Sequence, residues 1–287
     1  MQEFLRTPTE DGLLLQALLH SPQSPTDKIV IHIHGMAGNF YENRFLDPMA
    51  SKLIENGWAF LAPNTRGHDF VADIPLVGDE EKYIRIGSSA EIFEDCVKDI
   101  KCWVDLAESK GFKTIVLQGH SLGAVKVAYY LAQTQDSRVS KLILVSPPDM
   151  VGLAEQEKNF AEMVATAKDM VANGRENKFM PEIIWEWYHL LPKTYLNLTS
   201  RDEPVDVFNT YEPSKESPTL TSIALPILAV TGSKDDANIV PAEEAMNIIK
   251  RKCTKAVSFD IKVIDGAPHS YYERDTELAE TIVEWLH

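Results

Sequence analysis

The chain has 287 residues, 44% of them apolar, with 28 Lys+Arg against 43 Asp+Glu and a formal net charge of −15 at pH 7. That length is ample for a large buried core. The acid excess repels phosphate backbones and anionic lipid, so neither nucleic acid nor membrane is an expected partner. Cys96, Cys102 and Cys253 are too few and too scattered for a disulfide framework or a zinc cluster, and no metal is expected.

In chain order, the opening Met1-Gln-Glu-Phe-Leu-Arg-Thr has no basic stretch followed by an apolar run. No segment reaches the ~18 uninterrupted apolar residues of a membrane-spanning helix, so a cytoplasmic protein is expected. Strands are predicted near 4–8 and at 12–19, antiparallel across a turn at 9–12, and then at 29–34, 58–63, 114–119, 141–145, 227–231 and 257–264. Helical periodicity falls between them at 45–56, 89–110, 122–134, 241–250 and 275–286. Strand-length apolar runs alternating with helices give an α/β class, a mostly parallel eight-stranded sheet covered on both faces.

Residues 148–222 break the alternation, with helical patterns at 154–173 and 181–191 but no strand. Connections within α/β units usually take about 2–6 residues, so this stretch is predicted to be an inserted helical cap. The core domain is then 1–147 and 223–287.

The strongest chemical signal is Gly119-His120-Ser121-Leu122-Gly123, between an apolar strand and a helix. A sharp strand-to-helix turn forces its central serine into a strained backbone and needs tiny residues two positions away on either side. Ser121 is therefore the candidate nucleophile, and a helix-capping serine is the competing reading. A nucleophilic serine needs a base oriented by a carboxylate. Among eight histidines, His269 in Asp265-Gly-Ala-Pro-His269 follows the last strand. The turn Gly232-Ser-Lys-Asp235-Asp236 offers two acids, of which Asp235 is preferred. Oxyanion donors are predicted at the backbone N–H of Leu122 and, from the turn His34-Gly35-Met36-Ala37-Gly38, of Met36.

The order of the serine elbow, the His-Gly turn, Arg66-Gly67-His68, Gly232-x-x-Asp235 and Gly266-x-x-His269 resembles the α/β-hydrolase fold superfamily over nearly the whole chain. More loosely it is similar to the esterase group that contains siderophore hydrolases. The resemblance implies a capped, cofactor-free serine hydrolase acting on a small-molecule carboxylic ester through an acyl-enzyme on Ser121. Acyltransferase, thioesterase or C–C hydrolase chemistry on the same triad, or a non-catalytic ligand receptor on this scaffold, are the alternatives it leaves open.

In the cap, helical spacing would put Trp185 and Tyr188 on one face as a substrate wall, with Trp187 pointing elsewhere as an anchor. Between 69 and 101 the chain carries nine acids against four bases. If that segment rims the active-site mouth, a neutral or cationic ester is expected to be preferred over an anionic one.

Overall fold

The computed structural model describes residues 1–201 and 203–287. Asp202, inside the predicted cap, and the side chain of Glu80, among the acids counted above, lie outside the described residues. β1 (Gln2–Pro8) and β2 (Leu14–His20) form the antiparallel hairpin expected from the sequence, turning at Gly12 with φ +88°. β3 (Lys28–Ile33), α1 (Leu46–Glu55) and β4 (Ala59–Pro63) follow as a parallel crossover unit. A hairpin of β5 (Asp73–Leu76) and β6 (Asp79–Arg85) stands apart from the main sheet. Then come α2 (Cys96–Ser109), β7 (Thr114–His120), α3 (Leu122–Thr134) and β8 (Val139–Val145).

Between β8 and β9 lie α4 (Met150–Glu155), α5 (Phe160–Ala172), α6 (Pro192–Thr199) and α7 (Pro218–Ser222). β9 (Pro226–Gly232), α8 (Ala242–Lys252), β10 (Ser258–Ile264) and α9 (Asp275–Leu286) complete the chain. The main sheet has eight strands in the order β1-β2-β4-β3-β7-β8-β9-β10, parallel from β4 to β10. This is the α/β architecture expected from the alternation of apolar runs.

Alternate residues of each central strand feed opposite faces, as the strand period of two requires. Val30, Phe60, Val116 and Ile143 pack under α1 and α9, against Met49, Leu53 and Ile282. Ile29, Ile31, Leu117 and Leu142 face α2 and α3, in one apolar cluster with Met163, Tyr195, Leu198 and Phe208 of the β8–β9 insertion. Each fully buried Leu, Ile or Phe contributes about 1.5–3 kcal/mol, so the insertion is bound to the sheet's covering helices by the same force that forms the core. A buried ammonium adds a tie, since Lys252 Nζ on α8 donates to the carbonyls of Asn209 at 2.8 Å and of Phe208 and Glu212 at 3.3 Å.

Three predicted helices differ in the structure. The 89–110 helix begins only at Cys96: the N–H groups of Ser88 and Ser89 donate to the carbonyls of Asp69 and Phe70, residues 88–90 form a turn, Ile92 is extended, and Phe93–Asp95 make a single 3-10 turn before the helix. The 154–173 pattern is two helices, interrupted between Glu155 and Phe160. Residues 181–191 form no helix, since Trp185 and Glu186 sit at φ +48° and +64° in a tight turn closed by the Ile184 and Tyr188 backbones. Helix starts instead at Pro192, whose ring fixes φ for a first helical turn.

The acidic segment also reads differently in three dimensions. Asp73 pairs with Arg85, Asp79 with Lys82, and Asp95 with Lys98. Arg66 is buried and donates to Asp99 from its backbone N–H and its guanidinium, both at 2.8 Å, and to Asp11 at 2.9 Å. Glu91 and Lys126 pair at 2.6 Å, both fully buried. A Cβ on Gly67 would fall 2.0 Å from Glu91 Oε2, so the Arg66-Gly67 sequence is set by this interior network. Asp73, Asp79, Glu91, Asp95 and Asp99 are thus each matched to a cation, whereas Asp69 accepts from Asn39 and Tyr41 and Glu94 from Asn197.

Removing one partner of a buried pair strands the other charge in apolar surroundings. Lys126→Met is therefore expected to destabilise the fold by about 3–5 kcal/mol, and Lys126→Met with Glu91→Leu to recover most of that loss. Urea unfolding of the three proteins checks both values.

Candidate active site

β7 runs straight into Ser121, which adopts φ +56°, ψ −129° before α3 begins at Leu122. That conformation costs a non-glycine residue of order 1–3 kcal/mol, so the surroundings must hold it in place. Ser121 N donates to Val145 O at 3.0 Å and Ser121 O accepts from Ala124 N at 2.8 Å. The flanking glycines are steric necessities, because a Cβ on Gly119 would lie 2.2 Å from Gly123 O and one on Gly123 would lie 2.1 Å from Ile33 O. The Ser121 hydroxyl does not cap α3. The helix-capping reading therefore fails, and the side chain is half-exposed at the C-terminal edge of the sheet.

The turn after β3 packs directly on this elbow. A Cβ on Gly35 would meet Ser121 Cβ at 2.8 Å and Oγ at 3.3 Å, so only glycine lets the two backbones come so close. His34, fully buried, fixes the turn. Its Nε2 accepts from Thr65 N–H at 2.9 Å, which leaves Nδ1 to donate to Gly35 O at 2.7 Å. Burial and the nearby Lys126 charge hold this imidazole well below its ordinary pKa, so it stays neutral. Among the described residues, no acceptor claims the backbone N–H of Met36 or that of Leu122. These are the two donors the sequence singles out for an oxyanion, beside the serine hydroxyl.

Asp235 and His269 come together from the turns after β9 and β10. His269 Nδ1 donates to Asp235 Oδ1 at 2.8 Å; the same oxygen accepts from Ala237 N at 3.0 Å, and Oδ2 accepts from Thr231 Oγ1 at 3.1 Å. Burial alone would raise the Asp235 pKa, but the hydrogen bond and charge of His269 outweigh it and bring the carboxyl down to about 2. For His269 burial works downward, and the Asp235 bond and charge, with the nearby Asp236, raise its pKa above the ordinary 6.5. Asp236 is exposed and makes no hydrogen bond to His269. A Cβ on Gly232 would lie 2.0 Å from Ala267 O, so this glycine is what allows the acid turn and the histidine turn to touch.

His120 is a feature that sequence reasoning missed. Its Nε2 donates to the His269 carbonyl at 2.9 Å, and its ring lies 4.9 Å from the His269 ring and 5.0 Å from Phe45. Burial, with the His269 charge, drives its pKa down to about 3, so it donates as a neutral ring throughout the physiological range. The only signal in sequence was its place beside Ser121. Tyr271, also missed, is buried, with its hydroxyl 2.9 Å from Ser146 Oγ and 3.3 Å from Val230 O, and it anchors the histidine loop to β9.

Trp185 and Tyr188 do not share a helical face, because no helix forms there. Their rings nevertheless meet at 6.2 Å, and Tyr188 stacks on Phe70 at 5.7 Å, joining the insertion to the loop after β4. Trp187 is 71% exposed and anchors nothing. Phe45, His120 and Tyr271 contribute to the walls of a cavity of about 410 Å³, which neither Trp185 nor Tyr188 lines, nor Ser121, Asp235 or His269. Asp235, Asp236 and His269 bring donor atoms within 4.8 Å of one another, close enough in principle for a cation. Both Asp235 oxygens and His269 Nδ1 are already occupied by hydrogen bonds, so the geometry suits proton transfer better than metal ligation.

Residues 28–275 match the family model for the alpha/beta hydrolase fold. No curated protein matches the chain. Several solved structures do. Est1E from Butyrivibrio proteoclasticus, in its complex with ferulic acid, is 21% identical with a TM-score of 0.65, covering 98% of this chain and 97% of its own. The Pyrococcus furiosus esterase Pf2001 is 19% identical with a TM-score of 0.66, covering 100% and 90%. The esterase domain of a Rhodothermus marinus protein is 13% identical with a TM-score of 0.60, covering 99% and 97%. Among the described residues no helix is long and apolar enough to cross a membrane.

Because the Asp235 carboxylate is what raises the His269 pKa, Asp235→Asn is expected to lower it. The imidazole proton chemical shift followed against pH reads the change, and an unmoved midpoint would contradict the pairing described above.

Proposed function

The chain belongs to the α/β-hydrolase fold family, and we propose that it is a serine-dependent carboxylic ester hydrolase. The observation that carries this reading is the strained Ser121 elbow. A position held at φ +56° by three close glycine contacts, with a hydroxyl that caps nothing, has a cost that chemistry explains and packing does not.

In this reading Ser121 Oγ attacks the ester carbonyl while His269 Nε2 accepts its proton. The N–H groups of Met36 and Leu122 receive the charge that develops on the carbonyl oxygen. His269 then returns the proton to the leaving alkoxide, and the alcohol departs. Water, deprotonated by His269, attacks the acyl-enzyme in turn and releases the acid. Asp235 stays ionised throughout, which its pKa of about 2 favours, and stabilises the imidazolium between steps. No cofactor enters these steps. Trp185 and Tyr188, on the insertion's side, are proposed to contact the substrate. The solved esterases that share this fold support the reaction class, and the triad and oxyanion geometry supports the serine mechanism.

A fluorophosphonate probe followed by peptide mapping tests the nucleophile without guessing a substrate. Label on the peptide containing Ser121 is expected, and a folded protein left unlabelled would refute the proposal. Ser121→Ala should lower turnover of a p-nitrophenyl ester by at least about 10⁴-fold. The pH profile follows from His269, which must be neutral to act as base. Its pKa is raised, so kcat/KM should climb with pH through a midpoint above 6.5 and be lost below it.

A further inference from the structure

Ser121 and His269 leave the sheet at different strands. β7 carries the candidate nucleophile and β10 the histidine loop, with β8 and β9 between them. Three strand spacings amount to about 14 Å, whereas proton transfer needs Ser121 Oγ and His269 Nε2 within hydrogen-bond reach. The histidine loop must therefore lean back across β8 and β9, and something must fix how far it leans. We propose that His120 does this, as a positioning residue that holds the general base against the nucleophile's own elbow. The proposal rests on the esterase reading above and deepens it.

Geometry is the first ground. His120 Nε2 donates to the His269 carbonyl at 2.9 Å. Among the described residues no other hydrogen bond joins the elbow, 119–123, to the loop at 265–271. Asp235 holds the other end of the same histidine, at Nδ1 and 2.8 Å. With its main chain and one ring nitrogen both held, His269 has little torsional freedom left, and the place of Nε2 follows. Asp235 belongs to the turn after β9, and the Tyr271 hydroxyl meets Ser146 after β8 and Val230 on β9, so neither measures the loop against Ser121. His120 does, because it is the chain neighbour of Ser121.

Chemistry is the second ground. A spacer in this place must keep its donor whatever the base is doing. His269 becomes cationic each time it takes the serine proton, and a cationic His120 would then face it at 4.9 Å between ring centres. Burial, with the His269 charge, instead brings the His120 pKa down to about 3, so the ring stays neutral. Since its partner is a carbonyl, that neutral ring carries its proton on Nε2. Phe45 meets the buried ring edge-on at 5.0 Å and Tyr271 at 6.2 Å, which keeps the donor aimed.

The test compares His120→Phe, which keeps an aromatic ring and loses the donor, with His120→Gln, whose amide nitrogen falls near the place of Nε2. Thermal unfolding checks that both are folded. Acylation and deacylation both pass through His269, so a misplaced base slows them together. In His120→Phe, kcat for a p-nitrophenyl ester should fall by about 10–100-fold with KM unchanged within about twofold, and fluorophosphonate labelling of Ser121 should slow in step. The midpoint of the pH profile should stay in place, since the Asp235 pair is untouched and only the plateau drops. His120→Gln should recover most of the lost kcat. A folded His120→Phe with the kcat of the unmodified protein would overturn the positioning role, and so would a His120→Gln no better than His120→Phe; both leave the esterase reading standing. If neither variant folds, the imidazole nitrogen NMR shifts of the unmodified protein decide. His120 should remain a neutral Nε2–H ring between about pH 5 and 8, and a ring that titrates there or carries its proton on Nδ1 would overturn the proposal. An unmodified protein that turns over no ester and leaves Ser121 unlabelled would overturn the esterase reading, and the role of His120 with it.

Discussion

The site depends on one steric constraint, the near contact of three backbone segments around Ser121. Gly123 packs on the carbonyl end of β3, Gly119 packs on Gly123, and Gly35 packs on Ser121 itself, each so closely that a methyl group would not fit. The approach does two things at once. It forces Ser121 into a conformation that lifts its hydroxyl off the helix, and it sets the turn that carries Met36 against the elbow that carries Leu122. The candidate nucleophile and the proposed oxyanion donors therefore share a single packing event. Parallel pairing of β3 with β7, in register from Lys28 with Thr114 to Ile33 with Gly119, is what aligns the two turns.

Histidines tie the remaining turns to this centre. His34, neutral because buried, links the Gly35 carbonyl to the Thr65 backbone and so locks the turn after β3 to the turn after β4. His120 reaches from the elbow to the carbonyl of His269. The same residue type thus serves opposite electrostatic purposes within a few ångströms. His34 and His120 are held neutral and act as fixed donors and acceptors, while His269, beside a carboxylate, is held with a raised affinity for a proton. Burial without an acid gives the first behaviour, and burial with one gives the second.

Not all of the chain's charges lie at its surface. The Arg66 cluster and the Glu91–Lys126 pair place charges beneath the turns after β3 and β4, where they fix loops and repel no ligand.

Much of the fold was legible in the sequence because period-two apolar runs and their glycine turns are local signals. The elbow, the His-Gly turn and the aspartate and histidine turns each announce themselves within about five residues, and the candidates Ser121, Asp235, His269, Met36 and Leu122 were drawn from them. Elements whose form depends on distant partners could not be read. Residues 88–92 stay out of the helix because the carbonyls of Asp69 and Phe70 take the N–H groups of Ser88 and Ser89, and 181–191 turns back on itself in spite of an apparent helical period. His120 and Tyr271 act across 149 and 125 residues of sequence, a distance over which no local pattern carries information. The sequence by itself determined the strands, the strained turns and the candidate reactive groups, since backbone sterics and side-chain chemistry are properties of neighbouring residues. The tertiary structure alone decided which turns touch and which charges are paired, since those follow from packing between segments the chain keeps far apart.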